Sequence, residues 1–161
     1  MQQAIGPYLL LEAIEDDIWE VMGVNETTLP EHYTQEFYRE IYDNFPDGFL
    51  VVKLNGKVVG YEMNRLERGL SNFGFNFVKK GHVVSIAVIE EHRNKGLGTA
   101  LLQESMNKMK ENGCSEIYLE VRITNEPALK LYKKLGFSII RTISYYYSDG
   151  ESAYVMAKKL Q

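Results

Sequence analysis

A strand that runs into a glycine-bearing loop and then a helix constrains this chain more than any other feature. Residues 82–88 alternate as a strand does, and after a charged turn the segment 93–98 reads Arg-x-x-Gly-x-Gly before a helical run from Thr99. The free N–H groups and the dipole of a helix N-terminus favour anions, and glycines let backbone approach a ligand closely. The pattern predicts a phosphate-binding loop, beside which Arg93 and Lys95 add positive charge.

Composition limits the class of protein to which this loop can belong. The chain has 161 residues, of which 45% are hydrophobic and 25% charged, as expected of one globular domain with a substantial core. Its net charge of −4 argues against general nucleic-acid binding. No apolar run approaches the roughly 18 residues that span a membrane. The N-terminal residues lack the basic start and the cleavage site of a signal peptide.

The cysteine and the metal-ligating residue types indicate the cellular compartment and whether a metal is needed. Cys114 is the only cysteine, so no internal disulfide can form, which is typical of a reducing cytoplasm. The His, Cys, Asp and Glu residues do not cluster at metal-ligand spacing. We therefore expect a cytoplasmic protein that needs no metal and binds neither membranes nor nucleic acid.

Hydrophobic periodicity and turn residues predict alternating strands and helices. In the first half of the chain we predict a strand at 8–12, a helix at 14–24, a helix started by Pro30 that carries Tyr33, Phe37, Tyr38 and Ile41, and a hairpin at 49–66 around Asn55-Gly56. A loop or broken strand follows at 67–80, then the central strand at 82–88 and a helix from Thr99 to Asn112-Gly113. The remaining elements are a strand at 116–121, a helix at 125–135, and strands at 137–147 and 152–160 joined by a turn at 148–150. The crossover from the central strand to 116–121 predicts a one-domain α/β sheet.

The glycine pair is weak evidence until its context is considered. It lacks the third glycine of a dinucleotide fingerprint and the Gly-Lys-Ser/Thr of a P-loop, so a helix cap without a ligand is an alternative. However, residues 125–137 read Asn-x-x-Ala-x-x-Leu-Tyr-x-x-x-Gly-Phe. Together with the loop, this closely resembles the GCN5-related N-acetyltransferase (GNAT) superfamily over nearly the whole chain.

Four separated segments resemble one branch of that superfamily, the RimI-like N-terminal acetyltransferases, and especially archaeal relatives of the NatA catalytic subunit. They are LPE at 29–31, KGHVVSIAV at 80–88, YLEVR at 118–122 and YYSDGESAYVM at 146–156. The resemblance implies a single domain over residues 1–161. It also implies a mixed, mostly antiparallel sheet that is splayed at its central strands and flanked by about four helices.

The resemblance implies acetyl-CoA as the cosubstrate. The pyrophosphate would lie on the loop at 93–99, and the pantetheine arm would pair with the central strand in the splay beside 116–121. Asn125 and Tyr132 match positions that contact the arm and the thioester sulfur, although Asn125 also has the features of a helix N-cap. The cofactor contacts implied are Ile86, Ala87, Val88, Arg93, Asn94, Lys95, Gly96, Leu97, Gly98, Thr99, Asn125 and Tyr132. Asn94 departs from the family, where a basic residue is common.

The implied reaction is attack of a neutral amine on a thioester. An α-amine with a pKa near 7.7–8.0 is neutral at pH 7 roughly a few hundred times more often than a lysine, so a modest base suffices. By match to relatives, His82 and Glu120 relay the amine proton and the Tyr132 hydroxyl protonates the thiolate. Strand alternation places His82 on one face with residues 84, 86 and 88. Which of His82 and Glu120 is the main base stays open, as do purely structural roles for them and for Tyr132.

The implied peptide contacts are two separated segments. They are Leu29, Pro30, Glu31 and Tyr33 on one side, and Tyr146 and Tyr147 on the other. Glu31, which we group with the catalytic residues, would bind the ammonium or the small first side chain. Residues 145–147 alternate faces if they form a strand, so not all three tyrosines can face a peptide.

Relatives of this kind accept N-termini that begin with Ser, Ala or Thr, and archaeal ones also accept Met. An auxiliary subunit or the ribosome is a possible partner. Two alternatives are an acetyltransferase for a small amine or one ribosomal protein, and a CoA-binding regulator without catalysis. A substrate panel separates them.

Overall fold

The computed structural model describes residues 2–160, and in this range the chain forms eight strands and four α-helices. The elements in chain order are β1 (Gln2–Ile5), β2 (Tyr8–Glu12), α1 (Ile18–Thr28), α2 (Gln35–Asn44), β3 (Leu50–Leu54), β4 (Lys57–Leu70), β5 (Phe77–Val88), α3 (Leu97–Glu111), β6 (Glu116–Arg122), α4 (Glu126–Lys134), β7 (Ser138–Ile143) and β8 (Ala153–Lys159). Short 3₁₀ turns lie at Glu15–Asp17, Pro46–Gly48 and Glu90–His92.

The strands form one mixed sheet in the order β1-β2-β3-β4-β5-β6-β8-β7. The pairs β1–β2, β2–β3, β3–β4, β6–β8 and β7–β8 are antiparallel. β5 and β6 are parallel, with His82 opposite Tyr118. This confirms the predicted α/β class, the mostly antiparallel sheet and the crossover through α3.

Contacts divide the chain into two compact units, Met1–Arg65 with Val84–Lys108, and Leu66–Val83 with Met109–Gln161. The first unit has two hydrophobic clusters, because successive side chains of a strand point to opposite faces. Val51 of β3 belongs to a first cluster with residues of α1 and α2. Leu50 and Val52 belong to a second cluster with residues of α3.

The second unit is built on the antiparallel strands β6, β7 and β8, together with α4. The apolar side chains of β6 alternate with its polar ones, and Ile117, Leu119 and Val121 are buried. The free Cys114 is also buried here. This confirms the strand predicted at 116–121, whose alternation directs Tyr118 and Glu120 to the opposite face.

The first two helices begin later than predicted. The backbone N–H of Ile14 donates to the Asp17 carboxylate at 2.9 Å, which holds a 3₁₀ turn, so α1 starts only at Ile18. Pro30 does not start the next helix either. Thr34 is the N-cap of α2, where its hydroxyl accepts the N–H of Phe37 at 3.2 Å.

Of the loop and the broken strand predicted as alternatives for residues 67–80, the structure has the broken strand, with a turn between β4 and β5. β4 continues to Leu70, and β5 begins at Phe77. The backbone N–H of Ser71 donates to the carbonyl of Asn76 at 2.8 Å and closes a short turn between them. Glu116, from a distant part of the chain, accepts hydrogen bonds from Ser71 and Asn72 at 2.6 Å each. Such contacts leave no periodic signal in the sequence.

Three further boundaries differ from the predictions. β1 was not predicted, and α3 begins at the buried Leu97 rather than at Thr99. β7 ends at Ile143, and Tyr145 has a left-handed φ of 55°, so the tyrosines at 145–147 do not alternate along a strand. The Asn55-Gly56 hairpin is confirmed, since both residues have the positive φ of a type I′ turn.

Candidate active site

A histidine held by two carboxylates is the most distinctive polar cluster of the second unit. His82 Nε2 lies 2.7 Å from Oε1 of Glu120, and His82 Nδ1 lies 3.3 Å from Oε2 of Glu67. The parallel register places His82 opposite Tyr118, and Glu120 follows two residues later on the same face of β6. The structure therefore brings together the two residues predicted as bases. Glu67 lies in the last part of β4, in the stretch predicted as a loop or a broken strand, and was not predicted as a site residue.

Tyr118 completes this cluster. Its ring lies parallel to the His82 imidazole, with ring centres 4.4 Å apart. Its hydroxyl donates a hydrogen bond to Oε1 of Glu67 at 2.5 Å. Tyr118 thus contacts both the imidazole ring and the carboxylate beside that ring. The alternation of β6 was the signal that could have found it.

The carboxylates control the charge of His82. Burial disfavours the imidazolium, but the contacts with Glu120 and Glu67 outweigh burial and raise the pKa of His82 to about 9. At neutral pH the imidazolium can donate a proton but cannot accept one. The imidazolium of His82 thus lies between the carboxyl groups of Glu120 and Glu67.

The predicted single face of β5 is interrupted near its centre. Val84 packs against the first hydrophobic cluster, whereas Ile86 and Val88 pack against the second. Ser85 is buried, and its hydroxyl lies 2.6 Å from that of Tyr61, a residue of the first cluster. Val84 and Ser85 thus both face the first cluster, so the alternation predicted from His82 to Val88 is wrong beyond Val84.

The predicted phosphate loop has the geometry of an anion site. Asn94 and Gly96 have positive φ values of 61° and 79°, and both are exposed. The first intrahelical bond that α3 makes to this loop runs from the N–H of Ala100 to the carbonyl of Gly96, at 3.0 Å. The N–H groups of residues 97–99 precede that bond, and such groups at a helix start suit a phosphate. The exposed Lys95 lies in the same loop.

The loop and the turn before it are fixed to two strands, β5 and β2. Arg93 Nε donates to the backbone carbonyl of Val88 at 2.9 Å, so this side chain also holds the loop in place. The Tyr8 hydroxyl lies 2.8 Å from Nδ1 of His92. The contact of His92 with Tyr8 joins residues far apart in sequence and was not predicted. A fixed loop presents its N–H groups to an anion at a small entropic cost.

The start of α4 is confirmed as a capped helix. The Asn125 side chain accepts the N–H of Ala128 at 3.3 Å, and Pro127 lies in the first turn. Tyr132 is 7% exposed, and its ring centre lies 5.8 Å from that of Phe137. The structure thus supports the structural role of Asn125, and the predicted contacts of Asn125 and Tyr132 with a cofactor stay predictions.

The segment after α1 is held by a buried asparagine. Asn25 Nδ2 donates to the backbone carbonyl of Glu31 at 3.0 Å and to the Tyr61 hydroxyl at 3.1 Å. Because Tyr61 also contacts Ser85, a chain of hydrogen bonds joins residue 31 to β5. Leu29 and Tyr33 pack against the first hydrophobic cluster, which helps to fix the predicted peptide-binding segment.

Arg122 organises the loop that carries the other predicted peptide contacts. Its guanidinium forms ion pairs with Asp149 and Glu151, each at 2.8 Å, and lies 4.1 Å from the ring centre of Tyr147. Hydrogen bonds from the backbone N–H of Glu151 and from the side chain of Arg122 hold the pKa of the Asp149 carboxyl below its usual range. Tyr146 packs edge-on against Tyr147, with ring centres 4.9 Å apart. The loop between β7 and β8 is therefore built around Arg122.

Among residues 2–160 no helix is long and apolar enough to cross a membrane. Within that range no three His, Cys, Asp or Glu side chains are grouped so that they could hold a metal ion.

Comparisons with known proteins agree on the family to which this chain is similar. Residues 11–137 match the model of the acetyltransferase (GNAT) family. An N-alpha-acetyltransferase of Sulfurisphaera tokodaii is 47% identical over 156 residues, which cover 95% of this chain and 93% of that protein. The N-terminal acetyltransferase A complex catalytic subunit NAA10 of Arabidopsis thaliana is 33% identical over 92% of this chain and 76% of its own length. The crystal structure of Ard1 from Thermoplasma volcanium has a TM-score of 0.86 at 29% identity, covering 97% of this chain and 99% of that one.

Proposed function

The chain belongs to the acetyltransferase (GNAT) family. Within this family, we propose that it is a protein N-alpha-acetyltransferase. It would transfer the acetyl group of acetyl-CoA to the free N-terminal amine of a protein. The similarity to the N-alpha-acetyltransferase of Sulfurisphaera tokodaii supports this activity. The structural observation that carries it is the 2.7 Å contact between His82 and Glu120, which provides a held proton acceptor.

The charge of the histidine cluster suits an N-terminal amine. With His82 as imidazolium, the two carboxylates of Glu67 and Glu120 leave one net negative charge, which attracts an ammonium group. Because an α-ammonium has a pKa near 7.7–8.0, the Glu120 carboxylate needs only modest basicity to accept its proton at neutral pH. The neutral amine then attacks the thioester carbon, the C–N bond forms and the C–S bond breaks. The nitrogen loses a second proton as it becomes an amide, and this proton balances the one that the thiolate gains.

The thiolate that leaves must be neutralised. We propose that the Tyr132 hydroxyl donates the proton, as the family resemblance implies. The buried position of Tyr132 supports this role, since a low-dielectric environment strengthens its hydrogen bond to a developing charge.

Acetyl-CoA binding is proposed for the loop and its neighbours. The loop from Arg93 to Thr99, which is exposed at residues 93–96, would bind the pyrophosphate with backbone N–H groups, and Lys95 would add positive charge. The backbone of residues 86–88 would pair with the pantetheine arm, and Asn125 and Tyr132 would contact the arm near the sulfur. The left-handed backbone at Gly96, which an L side chain would strain, supports this assignment.

Peptide binding is proposed for residues 29–33 and for the β7–β8 loop. Glu31 would bind the ammonium or the first side chain, and Tyr146 and Tyr147 would contact the following residues. We propose substrates that begin with Ser, Ala, Thr or Met. An auxiliary subunit or the ribosome is proposed as a partner because the related Arabidopsis protein is a subunit of a complex. The free Cys114 is compatible with a cytoplasmic enzyme, and one domain over residues 1–161 remains our prediction.

Acetyl-CoA turnover on a peptide panel tests this function. The panel contains N-termini that begin Ser, Ala, Thr, Met-Leu and Met-Glu, and an internal-lysine peptide whose N-terminus is blocked. We expect turnover on free N-termini and its loss in Glu120→Gln and His82→Ala. Glu36→Gln, an exposed carboxylate-to-amide change, is the control. Activity on the lysine peptide alone, or acetyl-CoA binding without turnover, would contradict the proposal.

A further inference from the structure

We propose that Glu67 is a positioning residue of this reaction, which holds the His82 side chain and, through it, the carboxylate of Glu120. The inference rests on the proposed function, because it assigns Glu120 the task of taking the proton from the substrate amine. Glu67 itself would touch neither the amine nor acetyl-CoA.

The geometry around His82 carries this inference. One oxygen of Glu67 accepts the Tyr118 hydroxyl at 2.5 Å, and the other lies 3.3 Å from Nδ1 of His82. The contact at Nδ1 has the distance of an ion pair but not the alignment of a hydrogen bond. The opposite nitrogen, Nε2, lies 2.7 Å from Glu120. The imidazole is thus held through both nitrogens, and Tyr118 covers one face of its ring.

Restricted solvent access makes these contacts effective. The side chains of His82, Glu67 and Glu120 are 16%, 24% and 16% exposed. Charges interact more strongly at such sites than in open water, because solvent screens them less. The contacts with both carboxylates raise the pKa of His82 to about 9. Lys80 adds a positive charge near the cluster, with its ammonium 4.9 Å from the centre of the Tyr118 ring.

The charge balance explains why a second carboxylate matters. With Glu67 present, the cluster carries one net negative charge before proton transfer and none after Glu120 accepts the proton. Without Glu67, His82 and Glu120 form a neutral ion pair, and protonation of Glu120 leaves a net positive charge beside the reacting amine. Transfer then becomes less favourable, since like charges repel. In the transfer an N–H bond of the ammonium breaks and an O–H bond forms on Glu120.

Tyr118 extends the same arrangement. Its hydroxyl orients the Glu67 carboxylate, and its ring supports the imidazole. Tyr118→Phe removes only the hydroxyl and therefore the hydrogen bond to Glu67. The aromatic ring still packs against the His82 imidazole. Glu67→Gln keeps the size of the side chain and removes its charge. The two variants therefore separate charge from packing.

The test combines NMR and kinetics. The chain has three histidines, so the Hε1 resonance of His82 can be assigned with His82→Gln, while His32 and His92 serve as internal references. In Glu67→Gln we expect the pKa of His82 to fall by about one unit or more. We expect kcat to fall about tenfold or more, while KM for acetyl-CoA stays within about twofold. Tyr118→Phe should show a smaller change in the same direction, and Glu36→Gln should show none.

Three outcomes would count against the proposal, and they are distinguishable. An unchanged His82 titration in Glu67→Gln overturns the electrostatic hold. A lower melting temperature with unchanged kcat and titration assigns Glu67 a structural role only. If the wild type acetylates no N-terminal peptide, the proposed function fails and with it the catalytic role of Glu67, whereas the titration still decides whether Glu67 controls His82.

Discussion

The His82 imidazole lies flat against the Tyr118 ring, with the two planes within 1° and the ring centres 4.4 Å apart. The parallel pairing of β5 with β6 sets these residues opposite each other. A protonated imidazole over an aromatic face gains a cation–π attraction in addition to its contact area. The stack therefore favours the same charged state of His82 that Glu67 and Glu120 favour.

The charge of His82 should make stability depend on pH. Its folded pKa of about 9 lies above the ordinary value of 6.5. The stabilisation is therefore complete below pH 6.5 and is lost as the pH rises through 9. We expect His82→Gln to be less stable than the wild type at pH 6.5 by on the order of 2 kcal/mol, and the difference to shrink by pH 9.5.

Urea unfolding at pH 6.5, 8 and 9.5 measures this difference. The comparison between variant and wild type removes the contributions of groups that titrate equally in both proteins. A difference that stays constant over this range would show that His82 stabilises the fold through packing and not through charge.

The left-handed backbone of the predicted phosphate loop gives a second prediction. A Cβ at Gly96 would meet nothing within 4 Å, so any cost of Gly96→Ala comes from its φ of 79°. We expect a loss of about 1 kcal/mol in unfolding free energy and a higher KM for acetyl-CoA. Gly74→Ala is the matched control, because Gly74 also has open space around it and is not among the residues with positive φ. Equal effects of the two substitutions would contradict this explanation.

Features that depend on neighbouring residues could be predicted from the sequence. The Asn55-Gly56 turn, the stop at Gly113 and the Asn125 cap each follow from local backbone chemistry, and the structure confirms all three. The family resemblance predicts that His82 and Glu120 act together, and strand alternation with the parallel pairing of β5 and β6 is consistent with their contact.

Features that depend on distant residues could not be predicted. Gly69 and Gly74 left a loop and a broken strand as alternatives. The structure has the broken strand, in which Glu116 binds the turn at 71–72 and both strands continue to that turn. Glu67 lies in the same stretch and was not predicted as a site residue. The change of face on β5 follows from the contact of Ser85 with Tyr61, which are 24 residues apart. Periodicity reports how a segment is exposed, and it carries no information about which partner buries it.

Glu62 should reduce stability at neutral and alkaline pH. Its side chain is fully buried, and burial raises its pKa to about 8, although Ser105 and Asn64 partly oppose the rise. An unfolded chain ionises this carboxyl near pH 4.5, so its contribution to stability falls between pH 4.5 and 8. We expect Glu62→Gln to gain about 1–3 kcal/mol over the wild type at pH 8 and less at pH 5.

Chemical denaturation at the two pH values checks the Glu62 prediction. The amide keeps the size of the carboxyl, so packing changes little between the two proteins. A variant that is less stable than the wild type at pH 8 would show that the ionised carboxylate is satisfied inside the fold.

Arg122 should affect peptide binding and leave acetyl-CoA binding unchanged. Its guanidinium contacts Asp149, Glu151 and the Tyr147 ring, so Arg122→Gln removes the centre of the β7–β8 loop. We expect faster hydrogen exchange at the Gly150 amide, which donates to the carbonyl of Tyr147 at 2.8 Å. We also expect the peptide KM to rise about three- to tenfold, because a mobile loop must be ordered when the peptide binds.

The control for Arg122 is Arg141→Gln, which removes the same charge from an exposed position on β7. It should leave both the exchange rate and the peptide KM near their wild-type values. If both variants raise the peptide KM equally, general positive charge attracts the peptide and the ordered loop is not required. If Arg122→Gln speeds exchange but leaves the peptide KM unchanged, Tyr146 and Tyr147 do not contact the peptide, and the proposed binding surface is reduced to residues 29–33.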